Sequence, residues 1–288
     1  MSAQIIQLVQ GSEAWLAHRR GLRNASETPA VLGVSPWCTP YQLWLLKTGR
    51  AQPEVNEAMR RGTALEPAAR AAYEAQTGLV MQPLVLQDGL YSASLDGRTL
   101  AGELIVEIKC PYRGQGSALW QAVEGGEVPP YYAAQVQHQL MVSGAAQAHL
   151  WVYDGQQGLL HVIEPDLATF ERIRAAWDAF AVFIDTDSAP PLTEADTKQR
   201  SDADWQQAAM AFMAAKAEVE AADARMEATR TALVALAQHP KEVGAGVAVT
   251  RFWKAGSVDY KRVPSLQGVD LNAYRGKARK EVRVSVAA

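Results

Sequence analysis

SLDGRTLAGELIVEIKCP, residues 94–111, decides the reading of this chain: Asp96 closes one short apolar run, and Glu107 and Lys109 stand two apart inside the next. On an extended strand, side chains two apart share a face. Glu107 and Lys109 therefore point the same way, while Leu104, Val106, Ile108 and Cys110 form the opposite, apolar face and read as core. A hairpin through Gly97 to Gly102 brings Asp96 alongside the second strand. The register stays open at this level, because a slip of two residues keeps the same face; Asp96 falls beside either Glu107 or Glu103, and Glu103 is a reserve candidate.

Hard cations such as magnesium take oxygen ligands and need only one or two protein carboxylates beside substrate phosphate oxygens. Asp96 and Glu107 meet that requirement. A neighbouring lysine suits the orientation of an attacking water, or the neutralisation of charge on a pentavalent phosphorus. The chemistry implied is that of a divalent-metal hydrolase. Taken alone, however, a D…ExK spacing reads as an ordinary edge-strand ion pair, since so short a pattern recurs by accident.

With 288 residues and 48% hydrophobic composition, the chain can bury a substantial core as one large domain or one domain with an appendage. No run approaches the roughly 18 apolar residues of a membrane span, and MSAQIIQLVQ lacks the basic start and apolar stretch of a secretion signal. The expected location is the cytoplasm, with no membrane partner. Cys38 and Cys110 are the only cysteines, too few for a thiolate zinc site or an iron–sulfur cluster, and their apolar surroundings suit unpaired buried thiols. A net charge of -3 sits poorly with DNA binding until its distribution is read. Beyond residue 240 there are ten Lys/Arg against four Asp/Glu, so that tail carries about +6 and the remainder about -9. Arg19, Arg20, Arg23, Arg60, Arg61 and Arg70 gather around two further motifs, as expected of a protein that holds DNA at one place.

Residues 12 to 50 read as helical pieces, with Ser12 and Ser26 as caps and Pro36 and Pro40 as breaks. A helix over about 55 to 77 ends at Gly78, and apolar runs at 80 to 87, 90 to 95 and 103 to 110 read as strands. Then come a helix over about 130 to 143, a hairpin of 147 to 153 with 158 to 164, and a helix over about 166 to 186. These make an α/β domain over 1–187. A polar, proline-containing linker follows over 188–201, and 202–288 hold a long helix, an apparent β-hairpin at 247 to 263 and the basic end YRGKARKEVRV. In the long helix Trp205, Phe212, Val219, Met226 and Leu233 repeat every seven residues, with Ala208, Ala215, Ala222, Thr229 and Leu236 at the second seam position. So small a seam implies a close partner, another subunit or, as the more common outcome, the chain's own helices.

Five blocks extend the D…ExK pattern: QGSEAWLAHRRGLRNASE (10–27), RGTALEPAAR (61–70), SLDG, EIKCP and YYAAQVQHQLMVSG (131–144). In this order they resemble the phage lambda exonuclease and YqaJ-type recombination nucleases of the PD-(D/E)xK superfamily, over roughly residues 10 to 165. Two departures are mild: Leu95 stands where the superfamily name has proline, and Asn24 where relatives often have threonine. The resemblance implies a restriction-endonuclease-like α/β core, a mixed central sheet flanked by helices. It also implies a magnesium-dependent exonuclease, with manganese as a substitute, that degrades duplex DNA from its 5′ end and leaves 3′ single strands for an annealing protein. A homotrimer and a phage or prophage origin in a bacterial host are implied as well. Asp96, Glu107, the Ile108 carbonyl and Glu66, near or through water, would hold the metals. Lys109 and Gln135 would position water, Arg19 and Ser26 would grip the 5′-phosphate, and Met59 would wedge the terminal base pair.

Gln139 shares the face of Gln135 one helical turn on, whereas Gln137 does not. His138, one position off that face, reads as a packing or surface residue, and Trp15 as a core anchor rather than a stacking platform. Without the other blocks, Glu66 would be a solvated helix glutamate, and Arg19 with Ser26 a surface arginine and a cap. Two other functions compete: a structure-specific or restriction-like endonuclease of the same fold, and a DNA-binding recombination scaffold with a decayed site.

Overall fold

The alternation of apolar and polar residues around the opening stretch becomes three adjacent antiparallel strands in the computed structural model, which describes residues 3–9, 11–53, 56–252, 263–266 and 269–270. The elements are β1 (Gln4–Ile6), α1 (Glu13–Arg20), β2 (Arg23–Asn24), α2 (Thr28–Val31), α3 (Pro40–Lys47), α4 (Glu57–Thr77), β3 (Gln82–Asp88), β4 (Tyr91–Arg98), β5 (Leu104–Lys109), α5 (Ala118–Glu124), α6 (Pro130–Ser143), β6 (Gln147–Tyr153), β7 (Gly158–Ile163), α7 (Leu167–Asp185), α8 (Ala203–Leu236), β8 (Lys241–Gly244) and β9 (Val247–Thr250). The chain forms two compact units, Met1–Thr197 and Lys198–Ala288.

In the first unit the sheet runs β1-β3-β4-β5-β6-β7, with β2 beside β4. Its β5–β6 and β2–β4 pairs are parallel and the others antiparallel, so the sheet is mixed, as expected. Both faces are covered. On one side Ala69 and Tyr73 of α4 pack on Val106, Ile108 and Trp151; on the other, Val136 and Leu140 of α6 pack on Leu95, Ile105 and Leu150. A strand buried on both faces reads as a near-continuous apolar run, which is why Glu107 stands out within LIVEIK. A third cluster joins Leu43 and Trp44 of α3 to Ile173, Trp177 and Phe180 of α7.

Glycine sets the geometry where β4 meets β5. A Cβ on Gly97 would lie 2.6 Å from the Met81 Cβ and 2.8 Å from the Val106 Cγ1. Gly97 is therefore a ladder residue opposite Val106, not part of the turn, and the loop begins after Arg98. Gly78 closes α4 in the left-handed region at φ 73°, where a residue without Cβ is unstrained.

Several local expectations change. Ser12 does cap α1, accepting from the Trp15 amide, but Ser26 lies within a 3₁₀ turn over Ala25–Glu27 and its hydroxyl accepts from Arg19 instead. Pro40 starts α3 rather than breaking it; its missing N–H is harmless in a first turn, and Thr39 and Gln42 form a capping box around it. Trp15 is not a core anchor, since α1 buries no residue. Asp196, within the expected linker, accepts from the Thr39 hydroxyl at 2.5 Å.

In the second unit β9 pairs with the preceding β8, and the second arm of the hairpin expected over 247 to 263 falls outside the described residues. The two residues between β8 and β9, Ala245 and Gly246, have φ of 49° and 79°, the signs of a tight primed turn. Residues 253–262 and the basic end at 274–284 lie outside the described residues. Within the second unit, no residue of the 34-residue α8 is buried.

Buried polar contacts tie the helices of the first unit together. The Thr28 hydroxyl accepts from the Trp177 indole at 2.9 Å and lies 2.6 Å from His138 Nδ1, joining α2, α6 and α7. His138 is fully buried, a packing residue rather than a surface one, and burial pulls its pKa down to about 3. Below the ordinary histidine value near 6.5 the unfolded chain takes up a proton that the folded one refuses, so this group costs stability as pH falls from there toward 3. In urea unfolding between pH 6.5 and 4, the wild type should lose stability more steeply than His138→Gln, the slopes differing by up to about 1.4 kcal/mol per pH unit; equal slopes would contradict this. Gly97→Ala should cost about 1–3 kcal/mol in the same assay, through overpacking against Met81 and Val106.

Candidate active site

The pairing of Gly97 with Val106 and of Arg98 with Ile105 settles the register: the next step along puts Asp96 opposite Glu107. The ladder ends there, and the Asp96 side chain takes over its last bond, Oδ2 accepting from the Ile108 amide at 2.7 Å. Where the two strands part, a cleft of about 1200 Å³ opens. Glu103, the alternative, is exposed in the loop before β5.

Glu107 is only 3% exposed yet fully provided with donors. Lys109 Nζ lies 2.6 Å from its Oε1, the Gln135 amide donates to the same oxygen at 2.6 Å, and the Gln139 amide donates to Oε2. Gln139 is held in turn by the Ser94 carbonyl at 3.3 Å. The shared face of Gln135 and Gln139 is thus borne out in the contacts, and Gln137 turns away to the Glu164 carbonyl and the Asp166 amide. Lys109 also lies 5.2 Å from the Tyr132 ring centre, a cation–π contact.

Two opposed charges explain the electrostatics. Burial pushes the Asp96 carboxyl well above its ordinary range, and the nearby charges of Glu107 and Glu66 push the same way against Lys109 and the Ile108 amide. Burial works against the Lys109 ammonium, but Glu107 and Asp96 outweigh it and raise its pKa. Glu66 reaches the same cleft from α4; Arg70, one turn on, donates to it at 2.7 Å and to the Asp96 carbonyl at 2.8 Å. Among the described residues, no three Asp, Glu, His or Cys side chains close on one point. Asp96, Glu107, Glu66 and Ile108 all line the cleft, and the Glu107 charge weighs more on Asp96 than that of Glu66.

Arg19 and Ser26 come together at the cleft as expected, with the guanidinium donating to the hydroxyl at 2.8 Å. Arg19 also lies over the Trp15 ring at 4.4 Å, and Trp15 donates to the Ser94 hydroxyl at 3.0 Å. Below them Glu27 pairs with Lys47 at 2.6 Å and with Arg19 at 3.5 Å. Met59 lines the cleft from α4 and is 56% exposed. Three supporting residues were given no site role at the sequence level: Arg70, Lys47 and Tyr132. Helical spacing of four from Glu66 could have found the first; Tyr132 and Lys47 carry no local signal.

Comparison with known proteins agrees with this geometry. Residues 14–146 match the family model of the YqaJ-like viral recombinase domain. The uncharacterised protein YqaJ of Bacillus subtilis (strain 168) is 30% identical over 139 residues, 46% of this chain and 42% of that protein, so the chain spans less than half of this relative's length. A solved alkaline exonuclease, LHK-Exo from Laribacter hongkongensis, is 26% identical with a TM-score of 0.53, covering 61% of this chain and 94% of that one. LHK-Exo in complex with dAMP matches over the same shares at 27% identity and a TM-score of 0.52. These likenesses support a nuclease role. Residues 14–146 thus match the YqaJ-like viral recombinase domain model, within a mixed α/β fold similar to that of the alkaline exonucleases.

Proposed function

We propose that this protein is a magnesium-dependent exonuclease that degrades one strand of duplex DNA from the 5′ end, releases 5′-mononucleotides and leaves a 3′ strand for a single-strand annealing protein. The observation that carries this reading is the convergence of Asp96, Glu107 and Lys109 at the open end of a ladder, with Lys109 2.6 Å from Glu107. The dAMP complex of the Laribacter exonuclease supports a mononucleotide product. By resemblance, the working assembly is a homotrimer around the DNA.

The residues fit a hard divalent ion. Burial and the Glu107 charge drive Asp96 toward protonation, an excess of negative potential that a cation relieves, and every candidate donor is oxygen. Asp96, Glu107 and the Ile108 carbonyl would hold it, with Glu66 near or through water, and manganese would substitute. Such an ion supplies Lewis acidity toward the phosphoryl oxygens. The chain's own groups do the rest. Lys109 offers a fixed positive charge where negative charge grows on phosphorus, and the Gln135 amide orients a water without titrating. Arg19 and the Ser26 hydroxyl offer a charged fork and a donor to a terminal phosphate. Met59, exposed along the cleft, would part the last base pair, since unstacking one step costs only a few kcal/mol.

A 5′-phosphorylated linear duplex, labelled separately at each end and digested with magnesium, tests the reading. Loss of the 5′ label as mononucleotide, with covalently closed plasmid left intact, is expected; cutting of the closed circle would establish an endonuclease instead. Asp96→Asn and Lys109→Ala should each lower turnover by about 10²-fold or more while duplex binding in a gel-shift assay persists. Arg19→Ala should erase most of the preference for a 5′-phosphate over a 5′-hydroxyl end, read as the ratio of digestion rates on the two substrates.

A further inference from the structure

The seam of α8 is complementary to itself when a second copy runs the other way. Six of the nine large apolar residues on this helix that stand exposed lie on the seam, namely Trp205, Phe212, Val219, Met226, Leu233 and Leu236. Chance would place them on two positions in seven less often than that. Their exposure runs from 37% for Phe212 to 74% for Leu236. We propose that α8 pairs with α8 of a second copy of this chain as an antiparallel coiled coil.

Side-chain volume favours that direction. In a parallel, in-register pair each seam position meets itself, so Phe212 would face Phe212 in one layer and Ala215 would face Ala215 in the next, alternately too wide and too narrow. In the antiparallel pair centred between Glu220 and Ala221, each large residue meets a small one: Phe212 with Thr229, Val219 with Ala222, Met226 with Ala215, Leu233 with Ala208. Every one of these layers then has similar width. Only the two ends differ, where Trp205 meets Leu236.

Charge makes the same choice independently. The seam is flanked by Lys216, Asp223 and Arg230 on one side and by Glu218 and Arg225 on the other. Antiparallel pairing puts Lys216 opposite Asp223 and Glu218 opposite Arg225, each twice by symmetry. Parallel pairing puts Glu218 beside Asp223 and Arg225 beside Arg230, every contact between like charges. Within one chain Lys216 already pairs with Glu220 at 3.0 Å along the helix, and Asp223 of the other copy would share that ammonium. Flanking charges of this kind set partner and orientation in paired helices, attracting in one arrangement and repelling in the other.

Sedimentation equilibrium of the full chain tests the pairing, with circular dichroism at 222 nm checking that the helix stays formed. Wild type should show twice the mass of Val219→Glu, whatever assembly the first unit makes by itself; equal masses overturn self-pairing. Direction follows from Glu218→Arg, which opposes Arg225 in the antiparallel pair but attracts Asp223 in a parallel one. The antiparallel arrangement predicts a dissociation constant about tenfold weaker for Glu218→Arg and recovery to the wild-type value in Glu218→Arg/Arg225→Glu. Unchanged or tighter association of Glu218→Arg, or no recovery in the double variant, overturns it.

Discussion

A carboxylate buried at 3% exposure inside a sheet is the constraint on which the first unit turns. Left alone, Glu107 would cost several kcal/mol in lost hydration. The surrounding fold answers that cost with specific donors: Lys109 from the same strand face, and Gln135 and Gln139 from one face of α6. Because α6 must present two amides to one strand residue, its rotation over the sheet is fixed, and with it the packing of Val136 and Leu140 beneath. Asp96 is fixed in turn by ending the β4–β5 ladder on its own side chain. Chemistry and fold are the same set of contacts here.

That arrangement leaves a charge pattern with a purpose. Three carboxylates border one cleft together with two cations, Lys109 and Arg19, the latter over Trp15, while Arg70 pairs with Glu66. An anionic polymer would meet the basic groups first, and its scissile phosphate would need an added cation beside Asp96 and Glu107. The modest net charge of -3 therefore says little about DNA affinity, because the local distribution governs the encounter.

Much of this was legible in the sequence, for definable reasons. A two-residue period gave the shared face of Glu107 and Lys109, and a single glycine marked the end of α4. Register was not legible: it depends on where the chain turns, and the turn begins after Arg98 only because Gly97 must let Met81 and Val106 close in. Ser26 looked like a cap because serine commonly is one, yet a tertiary contact with Arg19 claimed its hydroxyl. Lys47, the last residue of α3, reaches back past α2 to Glu27, a pairing that no local pattern announces. The heptads of α8 showed that the helix has a seam but not what would cover it, because composition does not distinguish an internal neighbour from a second copy.

The central claim is that Asp96 and Glu107 together make a divalent-cation site whose remaining ligands come from substrate. Manganese binding followed by electron paramagnetic resonance tests it without catalysis. The account predicts saturable binding to the wild type that is lost in Asp96→Asn while the fold is retained; equal affinity in the two proteins would contradict it.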